Sequence, residues 1–178
     1  MAGYFAASTF RQVGNAATTQ NLSSIENISG TDLVYVRRVT VLMDATAALT
    51  AVMPQFKLSR ATGVPTGGTT LAKGLFDTSN ASDANTIVRG STATDGGANS
   101  GPTATPGDII WQQYGMRLHT AVGQVLSLEY DMLPVAVIAL QNFVLRQNQA
   151  ALCAIVAAAG TSNPATNHYI VNWCWEEN

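Results

Sequence analysis

LVYVRRVTVLMDA, residues 33–45, is the stretch that decides the fold. Val34 and Val36, then Val39, Val41 and Met43, recur at every second position, with one slip of phase at Arg37-Arg38. A period of two is the pattern of a half-buried β-strand. The slip across two adjacent arginines predicts a bulge or a switch of faces. Gly30 and Asp32 mark the turn before it.

Outward from this strand the same pattern recurs in shorter pieces. Strands are expected near 34–43, 52–60, 108–118, 125–130, 135–145, 152–158 and 169–175, the last being the aromatic-rich YIVNWCW. Thr69 to Phe76 reads as a short strand interrupted by Gly74, and Thr86 to Arg89 as a brief extended piece. One helical turn or loop fits residues 44–49, and a short helix capped by Ser79 or Asn80 fits 77–85. No stretch has a 3.6-residue period of helix length, so the expectation is an all-β sandwich of jelly-roll type. It divides into an N-terminal arm, residues 1–27, and a single sandwich domain, residues 28–178.

The chain of 178 residues is 47% hydrophobic but only 11% charged, with a net charge of −2. Nucleic-acid binding is disfavoured, because neutralising phosphates takes clustered Lys and Arg. Disorder is disfavoured by the apolar content. No apolar run reaches the roughly 18 residues of a membrane helix, and no basic residue precedes Arg11 as a signal peptide would require. A globular chain with so few charges either coats itself with Thr, Ser, Asn and Gln or hides surface against neighbouring subunits. The second route predicts a homo-oligomer, a dimer or trimer. Cys153 and Cys174 are expected as reduced, buried thiols, with a disulfide as the alternative.

Catalytic patterns are missing. The sequence has no GxSxG, HExxH, P-loop or strand-linked GxGxxG motif, and His119 and His168 have no second ligand at metal spacing. Neither a cofactor nor a metal is expected. Asp77, Asn80, Asp83, Asn85 and Asp95 supply oxygens for calcium but in no recognised spacing. Glu129/Asp131 are candidate carboxylates only nominally, and Glu176-Glu177 reads as a solubilising terminus. Trp111, Trp173, Trp175, Tyr114 and Tyr169 are assigned to the core in preference to a sugar site. Arg37-Arg38 reads as paired, strand-exposed arginine. The polar loop STATDGGANSGPTATPG, residues 91–107, has little apolar area to bury, so it is expected to stay mobile or to order against a partner.

A polar N-terminal segment with QNLSSIENISG leads into VYVRRVTVLMD. LSRATGVPTGGTTLAK, a short Asp/Asn/Ala stretch, a Gly-rich loop and a closing strand ending WCWEEN follow. This order resembles small β-rich virion proteins of tailed bacteriophages, in particular jelly-roll head decoration or cement proteins. The resemblance implies a non-enzymatic protein of the outer head surface, made in the host cytoplasm, that binds the assembled shell and bridges subunits of the major capsid protein. Tail, fibre and baseplate modules that bind a receptor or carbohydrate reuse such sandwiches and form the alternative. Interface candidates are Tyr4, Phe5, Phe10, Arg11, Val13, Leu22 and Ile25 of the arm, with Arg37 and Arg38. The competing reading folds the arm back on its own sandwich.

Overall fold

In a computed structural model the chain is described over residues 3–14, 19–45, 49–52, 55–76, 85–92, 101–114, 117–119, 128–131, 143–156 and 167–178. These residues form strands and connections with no helix, and so no helix long and apolar enough to cross a membrane. The first strands are β1 (Gly3–Ser8), β2 (Gln12–Val13), β3 (Gln20–Asn27), β4 (Val34–Ala45), β5 (Leu49–Val52) and β6 (Gln55–Ala61). Next come β7 (Thr69–Thr70), β8 (Gly74–Leu75), β9 (Thr86–Gly90), β10 (Pro106–Tyr114) and β11 (Arg117–His119). The last are β12 (Leu128–Asp131), β13 (Phe143–Leu145), β14 (Ala150–Val156) and β15 (Asn167–Glu177).

Two antiparallel sheets carry the fold. One has the order β12-β4-β15-β1-β8, with β13 also on β4 and β2 on β15; the other runs β10-β6-β14-β3-β9-β7. The long strands cross between the sheets at every step but one: β1, β4, β12 and β15 lie in the first, β3, β6, β10 and β14 in the second, and only β6 and β10 follow one another within a sheet, where they pair. Four central strands per sheet with this crossing pattern make an eight-stranded jelly roll, extended at its rims by β7, β8 and β9. The all-β expectation holds.

The bulge expected at the arginine pair is present. Trp173 pairs with Val39, Cys174 with Arg38, and then Trp175 with Val36, so Arg37 is the extra residue. It keeps Val34 and Val36 in the core on one side of the slip, and Val39, Val41 and Met43 on the other. Both arginines consequently leave on the outer face.

The arm is the principal correction. β1 pairs with β15 and β8, and β3 lies between β14 and β9 near the middle of the second sheet. Over its described residues the 1–27 segment is two of the eight jelly-roll strands, not an extension. Phe5, Leu22 and Ile25, expected as interface anchors, are buried in the core. Their spacing gave the segment its apolar content, and burial on the chain's own sheets is where that content goes.

Between the sheets lie Trp173, Trp175, Tyr169, Phe56, Leu58 and their aliphatic neighbours. Trp173 Nε1 donates to Ser23 Oγ across the sandwich at 2.7 Å. Trp175 stacks on Phe5 with centroids 5.5 Å apart. Trp111 packs half-buried against the same core. Glu176 and Glu177 both correct the reading of a solvated terminus: each is buried, and Glu177 accepts from Thr86 Oγ1 at 2.8 Å and Trp175 Nε1 at 2.9 Å.

The 91–107 loop is corrected at its C-terminal end. Asn21 Nδ2 donates to Pro102 O and Ala104 O, each at 3.1 Å, and Thr66 pairs with Thr103. A Cβ at Gly101 would stand 2.1 Å from Asn21 O, so only glycine allows this approach. At this end the loop is neither left without partners nor dependent on a neighbour, because backbone and amide bonds within the chain hold it. Residues 93–100 lie outside the described residues. So do the expected turn at 46–48, the 77–84 part of the expected helix, most of the 135–145 strand, Asp77, Asn80, Asp83, Asp95 and the side chains of His119, Tyr114, Glu129 and Asp131.

Candidate interaction surface

The outer face of the first sheet is organised in rows by strand register. Tyr4 lies opposite Glu176, Glu176 opposite Tyr35, and Tyr35 opposite Val144. Phe76 N donates to Tyr4 O at 3.0 Å, adding Phe76 beyond Tyr4. The result is a ridge across five strands, Phe76–Tyr4–Glu176–Tyr35–Val144. Phe76 is 69% and Tyr4 52% exposed. Arg37 is fixed on this ridge: its guanidinium carbon sits 5.2 Å from the Tyr35 ring centroid, its Nε donates to Glu176 Oε2 at 3.0 Å, and its Nη2 meets the same oxygen. Large aromatic rings beside an immobilised arginine are the composition of interface hot spots.

One register step along lies a row of three small residues closed at one end by an arginine. Gly74 pairs with Ala6, Ala6 with Cys174, and Cys174 with Arg38, which is exposed. A shallow trough therefore runs beside the ridge. The polar row after it includes Ser8, whose Oγ donates to Asn172 Oδ1 at 2.6 Å.

A second apolar surface lies on the other sheet, along β10. Bulges occur between Pro106 and Ile109 and between Ile109 and Trp111, leaving Ile109 51% and Ile110 38% exposed. At the end of the same edge, Thr62, Gly63, Val64 and Thr103–Thr105 line an open hollow of about 270 Å³.

The remaining sequence candidates divide between surface and framework. Phe10 is exposed and Val13 half-buried. Arg11 lies 3.4 Å from Asp44, whose other oxygen is 3.4 Å from His168 Nδ1. This cluster ties β2 to β4 and β15. Asn85, one of the calcium candidates, donates Nδ2 to Asp32 at 2.6 Å and its N–H to Glu177 at 3.2 Å, both within the chain's own framework. The sequence reading found Tyr4, Arg37 and Arg38 of the ridge and trough but not Tyr35, Phe76, Ala6 or Gly74. Register brings these together, and register is not visible in any one segment.

Two buried groups give tests of the framework. The Cys153 thiol is fully buried, which pushes its pKa up, whereas Cys174 is half-buried in the trough; the two are not joined by a disulfide. Iodoacetamide is expected to modify Cys174 in the native protein and to spare Cys153 until unfolding. Modification of native Cys153 would contradict its placement. Burial also raises the Glu26 carboxyl above its ordinary range, against the opposing pull of Arg89. A carboxyl raised on folding stabilises below its unfolded pKa, and that contribution is lost as pH rises through the folded value. Glu26→Gln is therefore expected to raise the urea midpoint at neutral pH and to flatten the fall in stability as pH rises above the ordinary carboxylate range. A variant with the wild-type profile would contradict this account.

No protein-family model matches the chain, and no curated protein matches its sequence.

Proposed function

We propose that this protein is a structural component of a virion, a capsid decoration or cement protein that stabilises a bacteriophage head by bridging subunits of the major capsid protein. The observation that carries the reading is the pair of separate apolar surfaces on one weakly charged jelly roll: Ile109 and Ile110 at the edge of one sheet, free to meet a coat subunit, and Phe76 and Tyr4 on the other, free to meet a second neighbour, whether coat subunit or another copy of this chain. A bridging protein must hold two neighbours at once, and the second contact is strengthened by the first when both sites sit on one rigid body. The jelly roll is a fold of viral capsid proteins, among other roles, which supports the reading by analogy. The order of segments that resembles phage head proteins supports it independently. Binding the assembled shell and not the free coat subunit would stabilise the shell by mass action.

The test is deletion of the gene from its source virus, followed by heating of purified heads. Heads are expected to assemble without the protein, to rupture at lower temperature, and to recover when purified protein is added back. Ile110→Asp, at an exposed edge, is expected to weaken add-back binding at least about tenfold while leaving the melt of the free protein unchanged. Heads with undiminished heat resistance overturn the proposal. Intact heads combined with lost adsorption to the host would instead assign the protein to a tail or fibre.

A further inference from the structure

We infer that the outer face of the first sheet is a two-fold interface with a second copy of this chain, the ridge of each copy seated in the trough of the other. This goes beyond the virion reading and does not depend on it.

The argument is one of shape first. The ridge Phe76–Tyr4–Glu176–Tyr35 and the trough Gly74–Ala6–Cys174–Arg38 are built from the same four strands, one register step apart. A two-fold axis lying in the face, across the strands and between the two rows, exchanges ridge for trough. Each ridge then faces a trough in the same strand order. Phe76 comes over the partner's Gly74, and Tyr4 over the partner's Ala6. Such a surface is self-complementary, which an isologous contact requires and a contact with an unrelated protein does not. The aligned packing of the two sheets is the ordinary geometry of a sandwich.

Charge agrees with shape. Within each ridge Arg37 already neutralises Glu176, so bringing the two ridges side by side opposes no net charges. The same operation sets the exposed Arg38 under the partner's Tyr35 ring and beside the partner's Glu176 carboxylate. Cation and ring, and cation and anion, therefore meet across the axis. Area sets the strength. Four strands at about 4.8 Å, and about 20 Å along the strands with side-chain overhang, give on the order of 400 Å² per copy and 800 Å² for the pair, the small end of transient interfaces. The dimer is accordingly of moderate affinity, and forms in the micromolar range.

Sedimentation equilibrium of the full chain tests this, over about 1 to 100 µM. A monomer–dimer equilibrium is expected. Ala6→Arg fills the trough and Phe76→Ser removes the end of the ridge; each is expected to shift the dissociation constant at least about tenfold toward monomer. Because Phe76 is largely exposed, that variant keeps its fold even if Ala6→Arg does not, and an unchanged melt at low concentration verifies it. Arg38→Glu is expected to weaken the dimer, and Ile110→Asp to leave it intact. Alkylation of Cys174, which lies in the trough, is expected to slow several-fold from the dilute to the concentrated protein. A monomer at the highest concentration overturns the inference. So does a dimer indifferent to Ala6→Arg and Phe76→Ser, or one broken by Ile110→Asp instead.

Discussion

Removal of residues 1–27 is expected to abolish folding. The deletion takes away β1, which holds β15 on one side and β8 on the other, and β3, which joins β14 to β9. With them go Phe5, Leu22 and Ile25, three fully enclosed side chains. Burial of three such side chains contributes about 5–9 kcal/mol, against a typical total stability of about 5–15 kcal/mol. The loss of two strands' ladders and the exposure of Trp173 and Trp175 come on top of that. The truncated chain is expected to give no cooperative thermal transition and no near-ultraviolet circular dichroism. A truncation that melts cooperatively would restore the segment to the status of an arm.

Trp173→Ala comes next in size. The indole is enclosed, lies in the strand flanked by β1 and β4, and donates to Ser23 Oγ in the opposite sheet. Its truncation is expected to destabilise by about 3–5 kcal/mol, the cost of a large core aromatic. Trp173→Phe keeps most of the ring and loses the cross-sheet hydrogen bond, at a cost of about 1–2 kcal/mol. Trp111→Ala, at a half-buried rim position, is expected to cost less than Trp173→Ala. Denaturant midpoints of the three variants check the order. A Trp111 effect equal to that of Trp173 would mean the core is centred elsewhere.

The strands that alternate strictly were legible in the sequence. β4 announced even its bulge, because a phase slip between valines is a local signal. β15 was legible for the same reason, its core residues falling at every second position from Tyr169 to Trp175. β3 was not, because its burial does not follow hydrophobicity: Gln20, Ser23, Ser24, Glu26 and Asn27 are all buried in one strand. Some of those polar side chains enter the interior with partners in other segments, whereas Ser24 Oγ and Glu26 Oε2 are buried without a hydrogen bond. Ser23 Oγ donates to Arg89 O, and Asn27 Nδ2 to Asp32 O and Leu145 O. Hydrogen-bond partners of this kind compensate burial, but composition within a window cannot reveal them. The interaction surface was hidden by the same limit. Tyr4 and Arg37 stand out alone, whereas the ridge exists only after three other segments have been laid beside them.

The central placement of β15 has a consequence for how the chain reaches this state during synthesis. β4 and β1 do not touch in the first sheet; the slot between them is filled by residues 167–177. While the polypeptide is still emerging from the ribosome, both flanking strands present unpaired edges to solvent, with their tryptophan partners not yet made. Closure must await the final strand and then proceed by long-range pairing, a slow step because of the chain length between partners. Newly made copies at high local density are therefore exposed to edge-to-edge mispairing for the whole of translation. Yield in a recombinant host is expected to be governed by that interval, and to improve when synthesis is slowed by cooling and fewer unfinished chains coexist.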